Sequence, residues 1–183
     1  MHKALHIKPE LCTGCLQCEM ACSFEHEGVF NPARSRIRIF EFEHGRYSVP
    51  YTCTQCAEAW CMKACPTDAI IIDNQLGAKV VQAEACVGCK ACTLACPFGT
   101  VEFNPESGKV DKCDLCGGDP VCVKACATRP EMINPGKQYN RQPVLFYEQQ
   151  ANFKKLQKEK PVARDEVGMM QAMLDRGEIS SSA

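Results

Sequence analysis

Sixteen cysteines fall into four groups of four, and their spacing is the chemistry this chain advertises. The first group is Cys12-x2-Cys15-x2-Cys18-x3-Cys22, and the second is Cys53-x2-Cys56-x4-Cys61-x3-Cys65-Pro66. The third is Cys86-x2-Cys89-x2-Cys92-x3-Cys96-Pro97, and the fourth is Cys113-x2-Cys116-x5-Cys122-x3-Cys126. Thiolates are soft ligands suited to iron–sulfur clusters. A C-x2-C-x2-C loop wraps a cubane so that three thiolates reach three iron corners. The fourth cysteine, three residues on along a short helical turn, points away from that loop and serves the other cluster of a pair. Structural zinc needs a C-x2-4-C pair with a distant second pair, often with histidine, and no histidine lies inside any group. Haem attachment needs C-x-x-C-H, a string that does not occur.

Other features narrow the class. Lysine plus arginine number 21 against 22 aspartates and glutamates in 183 residues, which argues against a nucleic-acid binder. No run reaches the roughly 18 apolar residues of a membrane span. The start, from Met1 to His6, shows no secretory pattern and no twin-arginine pair. The expectation is a reducing, cytoplasmic compartment, where many cysteines mean metal and not a disulfide scaffold. With one Trp, four Tyr and eight Phe, the conventional core is small, so cysteine-held groups replace part of it.

Short hairpins position the loops. Residues 35–42 carry apolar side chains at 37, 39, 40 and 42, turn through Glu43-His44-Gly45, and return through Arg46 to Val49. After Pro66, residues 69–72 form a β-branched run that pairs back through Lys79-Val80-Val81. After Pro97 the plan repeats with residues 100–103 and Lys109-Val110. The two prolines end their helical turns and send the chain into extended segments. Residues 144–158 and 163–176 read as helices separated by Pro161, with Phe146, Phe153 and Leu156 on one stripe and Val167, Met170 and Leu174 on another. The fold class is α+β, with a helical C-terminal tail over 143–183 that packs on its own chain or docks on another.

Lys63, Lys90, Lys112, Lys124 and Arg129 stand beside the cysteines and either tune cluster potential or are ordinary solvated charge; for any single one, solvated charge is the simpler reading. Trp60 is expected to wall a cluster. His2, His6, His26 and His44 show no ligand grouping and read as surface or hairpin residues.

The four groups resemble the four-cluster ferredoxin-like iron–sulfur subunits of molybdenum and tungsten oxidoreductases, over about residues 5 to 130. Cys12-Thr-Gly-Cys15, the run Cys22-Ser-Phe-Glu-His-Glu-Gly28 and Asn31-Pro-Ala-Arg-Ser-Arg-Ile37 look most like the small subunit of tungsten-dependent aldehyde oxidoreductase. The resemblance implies four [4Fe-4S] clusters on two nested bacterial-type two-cluster modules within 1–142, groups one and four outer and groups two and three inner over about 50–110. It implies four ligand sets. Cys12, Cys15, Cys18 and Cys126 form one, and Cys22, Cys113, Cys116 and Cys122 a second. Cys53, Cys56, Cys61 and Cys96 form a third, and Cys65, Cys86, Cys89 and Cys92 the fourth. The sequence departs from the family pattern at Ser23 and Ala127, where a proline could follow the last cysteine of a group.

The expected role is a non-catalytic electron-transfer subunit that wires a catalytic tungsten or molybdenum pterin subunit to a redox partner. A flavin- or nicotinamide-handling subunit or a second copy of the chain are further candidate partners; no nucleic acid and no membrane span are expected. The alternatives are a free-standing soluble polyferredoxin carrier, the equivalent subunit of a formate dehydrogenase or hydrogenase, and a regulatory protein that senses cluster status.

Overall fold

A computed structural model of the chain describes residues 3–44, 47–127 and 144–149. Among the described residues it is a small mixed α/β protein built from four antiparallel two-stranded ribbons and four short helices. The outermost ribbon pairs β1 (Lys3–Ile7) with β8 (Leu145–Gln149), in the register Ile7 to Leu145. The next pairs β2 (Ile37–Phe42) with β3 (Tyr47–Thr52). The smallest two pair β4 (Ile70–Ile72) with β5 (Lys79–Val81), and β6 (Glu102–Asn104) with β7 (Lys109–Asp111). The last three ribbons are the hairpins that the alternating and β-branched runs dictate.

The stretch after Val144 corrects the sequence expectation. Residues 145–149 are strand β8, not the start of a helix, and they pair with β1 at the other end of the chain. Leu-Phe-Tyr are strand formers. Val144 and Leu145 are buried with Cys18, Cys22, Ile37 and Cys122, so this strand closes the core of the first and fourth groups. The remaining tail, including the second expected helix at 163–176, lies outside the described residues.

Each helix carries or adjoins the last cysteine of its group. Helix α1 (Gln17–Glu27) holds Cys18 and Cys22; α2 (Trp60–Lys63) precedes Cys65; α3 (Ala91–Ala95) ends at Cys96; α4 (Val121–Ala127) holds Cys122 and Cys126. Where proline follows the last cysteine the helix is short, four residues in α2 and five in α3. Where serine stands instead, α1 runs on for 11 residues. A proline at 23 would delete an i→i−4 donor and clash with the preceding turn. Ser23 is fully buried; its hydroxyl donates to Met20 O at 3.0 Å and accepts from Asn31 N–H at 3.1 Å. The departure at Ser23 therefore lengthens a helix, and α1 ends at Gly28, whose φ of +70° suits glycine and whose N–H meets Phe24 O at 2.9 Å.

Two small cores result, and cysteines are members of both. One gathers Ile70, Val101 and Val110 around Cys61, Cys86 and Cys92; the other gathers Ile37, Val144 and Leu145 around Cys18, Cys22 and Cys122. Burying Ile37 or Leu145 stabilises the fold by roughly 1.5–3 kcal/mol each.

Candidate cluster sites

Group order along the chain is not group order in space. Cys126, at the far end of α4, lines one cavity together with Cys12, Cys15 and Cys18, under Ile39, Val144 and Leu145. Cys96 lines a second with Cys53, Cys56 and Cys61. Cys65 lines a third with Cys86, Cys89 and Cys92. Cys22, Cys113, Cys116 and Cys122 are electrostatic neighbours in a fourth gathering. All sixteen thiols are free of disulfides.

The thiols sit where ionisation needs help. Burial pushes the Cys18 thiol up to about 12, with the charges of Glu19, Cys15 and Cys12 adding to it. Burial also lifts Cys92 and Cys116, each to about 11. Cys122 is raised by burial and then by Cys113, Cys22, Cys116 and Cys18. Four such thiols become thiolates together only around a cationic core. Hydrogen-bond donors prepare the sulfurs. Arg36 N–H reaches Cys22 Sγ at 3.4 Å, Ala69 N–H reaches Cys65 Sγ at 3.3 Å, and Val144 N–H reaches Cys126 Sγ at 3.4 Å. At Cys65 and Cys96 burial raises the thiol, but donors outweigh it and both are lowered. Thr67 and the N–H groups of Ala69 and Ile70 act on Cys65; Thr100 and the N–H groups of Phe98 and Gly99 act on Cys96.

The sets are also neighbours of one another. Cys18 adds its charge to Cys122, Cys53 to Cys113, and Cys61 to Cys92. These three electrostatic neighbour pairs put the set of Cys12 beside that of Cys113, that of Cys113 beside that of Cys53, and that of Cys53 beside that of Cys86. At the two ends, Cys15 and Cys89 are exposed.

Comparison with known proteins gives the same chemistry. Residues 45–135 match the model of a 4Fe-4S dicluster domain, and residues 9–25 match a 4Fe-4S binding domain. The chain is 49% identical over 120 residues to the "Aliphatic sulfonate oxidoreductase, polyferredoxin-like subunit" of Pyrococcus furiosus, covering 66% of this chain and 69% of that one. This protein belongs to the 4Fe-4S dicluster ferredoxin-like family. Within that family it is also similar to the "Probable anaerobic dimethyl sulfoxide reductase chain YnfG" of Escherichia coli, at 34% identity over 68% of this chain and 69% of that one. A subunit of the anaerobic dimethyl sulfoxide reductase of Haemophilus influenzae matches at 33% identity, over 66% of this chain and 67% of that one.

The residues present fit the family's clusters. Each gathering offers four soft thiols, a wall of apolar side chains and a backbone N–H aimed at a sulfur. The cluster loops are shaped for close approach. Gly88, between Cys86 and Cys89, has φ +69°, and a Cβ there would collide with the Gly108 carbonyl oxygen.

Sequence reasoning missed several residues here. Lys112 is 2% exposed, not solvated; its ammonium donates to the carbonyls of Lys79 and Cys113, lines the Cys53 cavity, and draws the Cys61 thiol down against burial. Lys90 sits 4.0 Å over the Phe103 ring, whereas Lys63 and Lys124 are exposed and paired with Glu58 and Asp119. Arg129 is outside the described residues. Trp60 touches the Cys53 cavity but is 56% exposed, so it is a rim and not a wall. His26 is no surface residue: its side chain is 12% exposed and its Nε2 stands 3.7 Å from Cys116 Sγ. No spacing rule flags a histidine that reaches across 90 residues of sequence to a cysteine of another group.

Among the described residues no helix is long and apolar enough to cross a membrane.

Proposed function

We propose that this protein is the electron-transfer iron–sulfur subunit of an oxidoreductase complex, carrying four [4Fe-4S] clusters between a catalytic subunit and a redox partner. The observation that carries the reading is the gathering of sixteen free thiols into four sets of four that follow one another through the molecule. A bound cluster supplies one-electron oxidation and reduction. The chain's own part is to hold the sets in sequence, exclude water with its two small cores, and set potentials through N–H donors and buried charge. The ligand sets proposed are Cys12, Cys15, Cys18 and Cys126; Cys22, Cys113, Cys116 and Cys122; Cys53, Cys56, Cys61 and Cys96; and Cys65, Cys86, Cys89 and Cys92. The exposed Cys15 and Cys89 mark the proposed entry and exit.

The proposed catalytic partner is a tungsten or molybdenum pterin enzyme of the aldehyde oxidoreductase type. Support comes from the Cys22–Ile37 segment and from relatives named as subunits of sulfonate oxidoreductase and dimethyl sulfoxide reductase. Anaerobic purification of the tagged protein from its native cell tests this. The expected result is a co-purifying larger subunit with tungsten or molybdenum, and bleaching of cluster absorbance when that enzyme's substrate is added. A protein that purifies alone and is reduced equally by unrelated enzymes would instead make it a free carrier.

A further inference from the structure

The cluster set of Cys22, Cys113, Cys116 and Cys122 has a feature that the ligand pattern does not require. Asp114, between two of its cysteines, takes two donors at once: Arg36 Nη1 on Oδ2 at 2.8 Å and the Cys116 N–H on Oδ1 at 2.9 Å. His26 Nε2 then lies 3.6 Å from Asp114 Oδ1 and 3.7 Å from Cys116 Sγ. The three residues come from separate places: His26 from the last turn of α1, Arg36 from the segment entering β2, and Asp114 from the fourth cysteine group. Each is partly or largely buried, with side-chain exposures of 12%, 18% and 30%. The backbone N–H of Arg36 also reaches Cys22 Sγ, so one segment touches this set twice.

We propose that His26, held by the Arg36–Asp114 ion pair, donates its Nε2–H to the Cys116 sulfur and so raises the reduction potential of this one cluster above what its burial alone gives. The proposal rests on the four-cluster reading above. Its physical basis is that a donor to a ligand sulfur stabilises the state with more negative charge, which is the reduced one. The Asp114 carboxylate accepts two donors, one of them charged, and the Val121 N–H reaches the Cys116 sulfur. Nε2 is within reach of both acceptors, and it is the ligand sulfur that gains negative charge when the cluster is reduced. An imidazole that carries its proton on Nε2 has that N–H to place on the acceptors 3.6 and 3.7 Å away. His26 is a positioning residue for potential and not a ligand, since Cys22, Cys113, Cys116 and Cys122 complete the set.

The position of this cluster gives the effect a consequence. It neighbours the Cys12 set through Cys18 and the Cys53 set through Cys113, so it is the stop between those two sets. A raised potential there makes it a station that fills early when the protein is partly reduced.

The test is a redox titration of anaerobic holoprotein followed by electron paramagnetic resonance, with iron and sulfide counted in the same samples. His26→Leu keeps the volume and removes the donor; His26→Gln keeps a donor. The expected result is that one cluster, the one lost in Cys116→Ser, shifts to lower potential in His26→Leu and recovers in part in His26→Gln. The other three should stay in place. Potentials that do not move, that all move together, or that respond alike to Leu and Gln overturn the proposal while leaving the four-cluster reading standing. Should His26→Leu fail to fold, the unaltered protein with nitrogen-15 histidine decides it: a histidine hyperfine coupling at this cluster is expected, and its absence overturns the proposal. Unaltered protein without sulfide overturns both.

Discussion

Gln55 Nε2 donates to the Cys113 carbonyl oxygen at 2.7 Å, while its Oε1 accepts the Lys79 N–H, also at 2.7 Å. Gln55 belongs to the loop between Cys53 and Cys56, and Cys113 begins the fourth group, so one amide ties the second group, the fourth group and β5 together. Replacing Gln55 with Ala leaves a donor and an acceptor without partners. The expected cost is about 1–3 kcal/mol. It should show as a lower denaturant midpoint for loss of the cluster absorbance, with iron content under native conditions unchanged.

Ser23→Pro is expected to cut α1 back toward the length of α2 and α3. The missing helix bond and the ring clash cost about 3 kcal/mol or more, and both Ser23 hydroxyl bonds are lost. The turn carrying His26 should then lose amide protection in hydrogen exchange, with Cys22 and its neighbours still in place. Retained protection over residues 24–27 would mean that the serine does not set the helix length.

The proposed nesting of the ligand sets predicts damage at a distance. Cys126→Ala should remove about a quarter of the iron and perturb the cluster of Cys12, Cys15 and Cys18. Cys65→Ala should remove a similar share from the set of Cys86, Cys89 and Cys92. Mössbauer or electron paramagnetic resonance spectra of the two variants, compared with single replacements in each loop, identify which cluster changed. Damage confined to each cysteine's own sequence group would refute the nesting.

The ribbon of β1 and β8 should loosen in mild acid. Burial lowers the His6 imidazole below its ordinary 6.5, and the partly opposing pull of Glu148 does not cancel it. The opened ribbon therefore binds more protons than the closed one, so stability rises with pH. The contribution is complete above about 6.5 and is lost as pH falls toward the lowered value in the folded state. Hydrogen exchange of the amides from Leu5 to Ile7 should accelerate between pH 7 and 5, beyond the intrinsic pH effect. The extra acceleration should vanish in His6→Gln.

What could be read from sequence was what is local. The x2-x2-x3 spacing marks a cysteine loop running into a helical turn, although the third thiol, Cys18 or Cys92, already stands on the helix; Ile70 to Ile72 form a strand whose partner follows a few residues later. β8 escaped because its partner β1 is over a hundred residues away, and because Phe146 shares a helical spacing with Phe153 and Leu156 that the pairing overrides. His26 and Lys112 escaped for the same reason. Their roles come from long-range packing, His26 on Cys116 and Lys112 on the Lys79 carbonyl, and neither distance leaves a mark in the spacing of either residue's neighbours.

Four sets of four thiols, each proposed to hold a [4Fe-4S] cluster, fix a metal and sulfide content. Its most direct measurement is iron, acid-labile sulfide and zinc per molecule in anaerobically purified protein. Four clusters require about sixteen iron and about sixteen sulfide, with zinc near zero. About half that iron with no further uptake on reconstitution, or bound zinc with little sulfide, would contradict it.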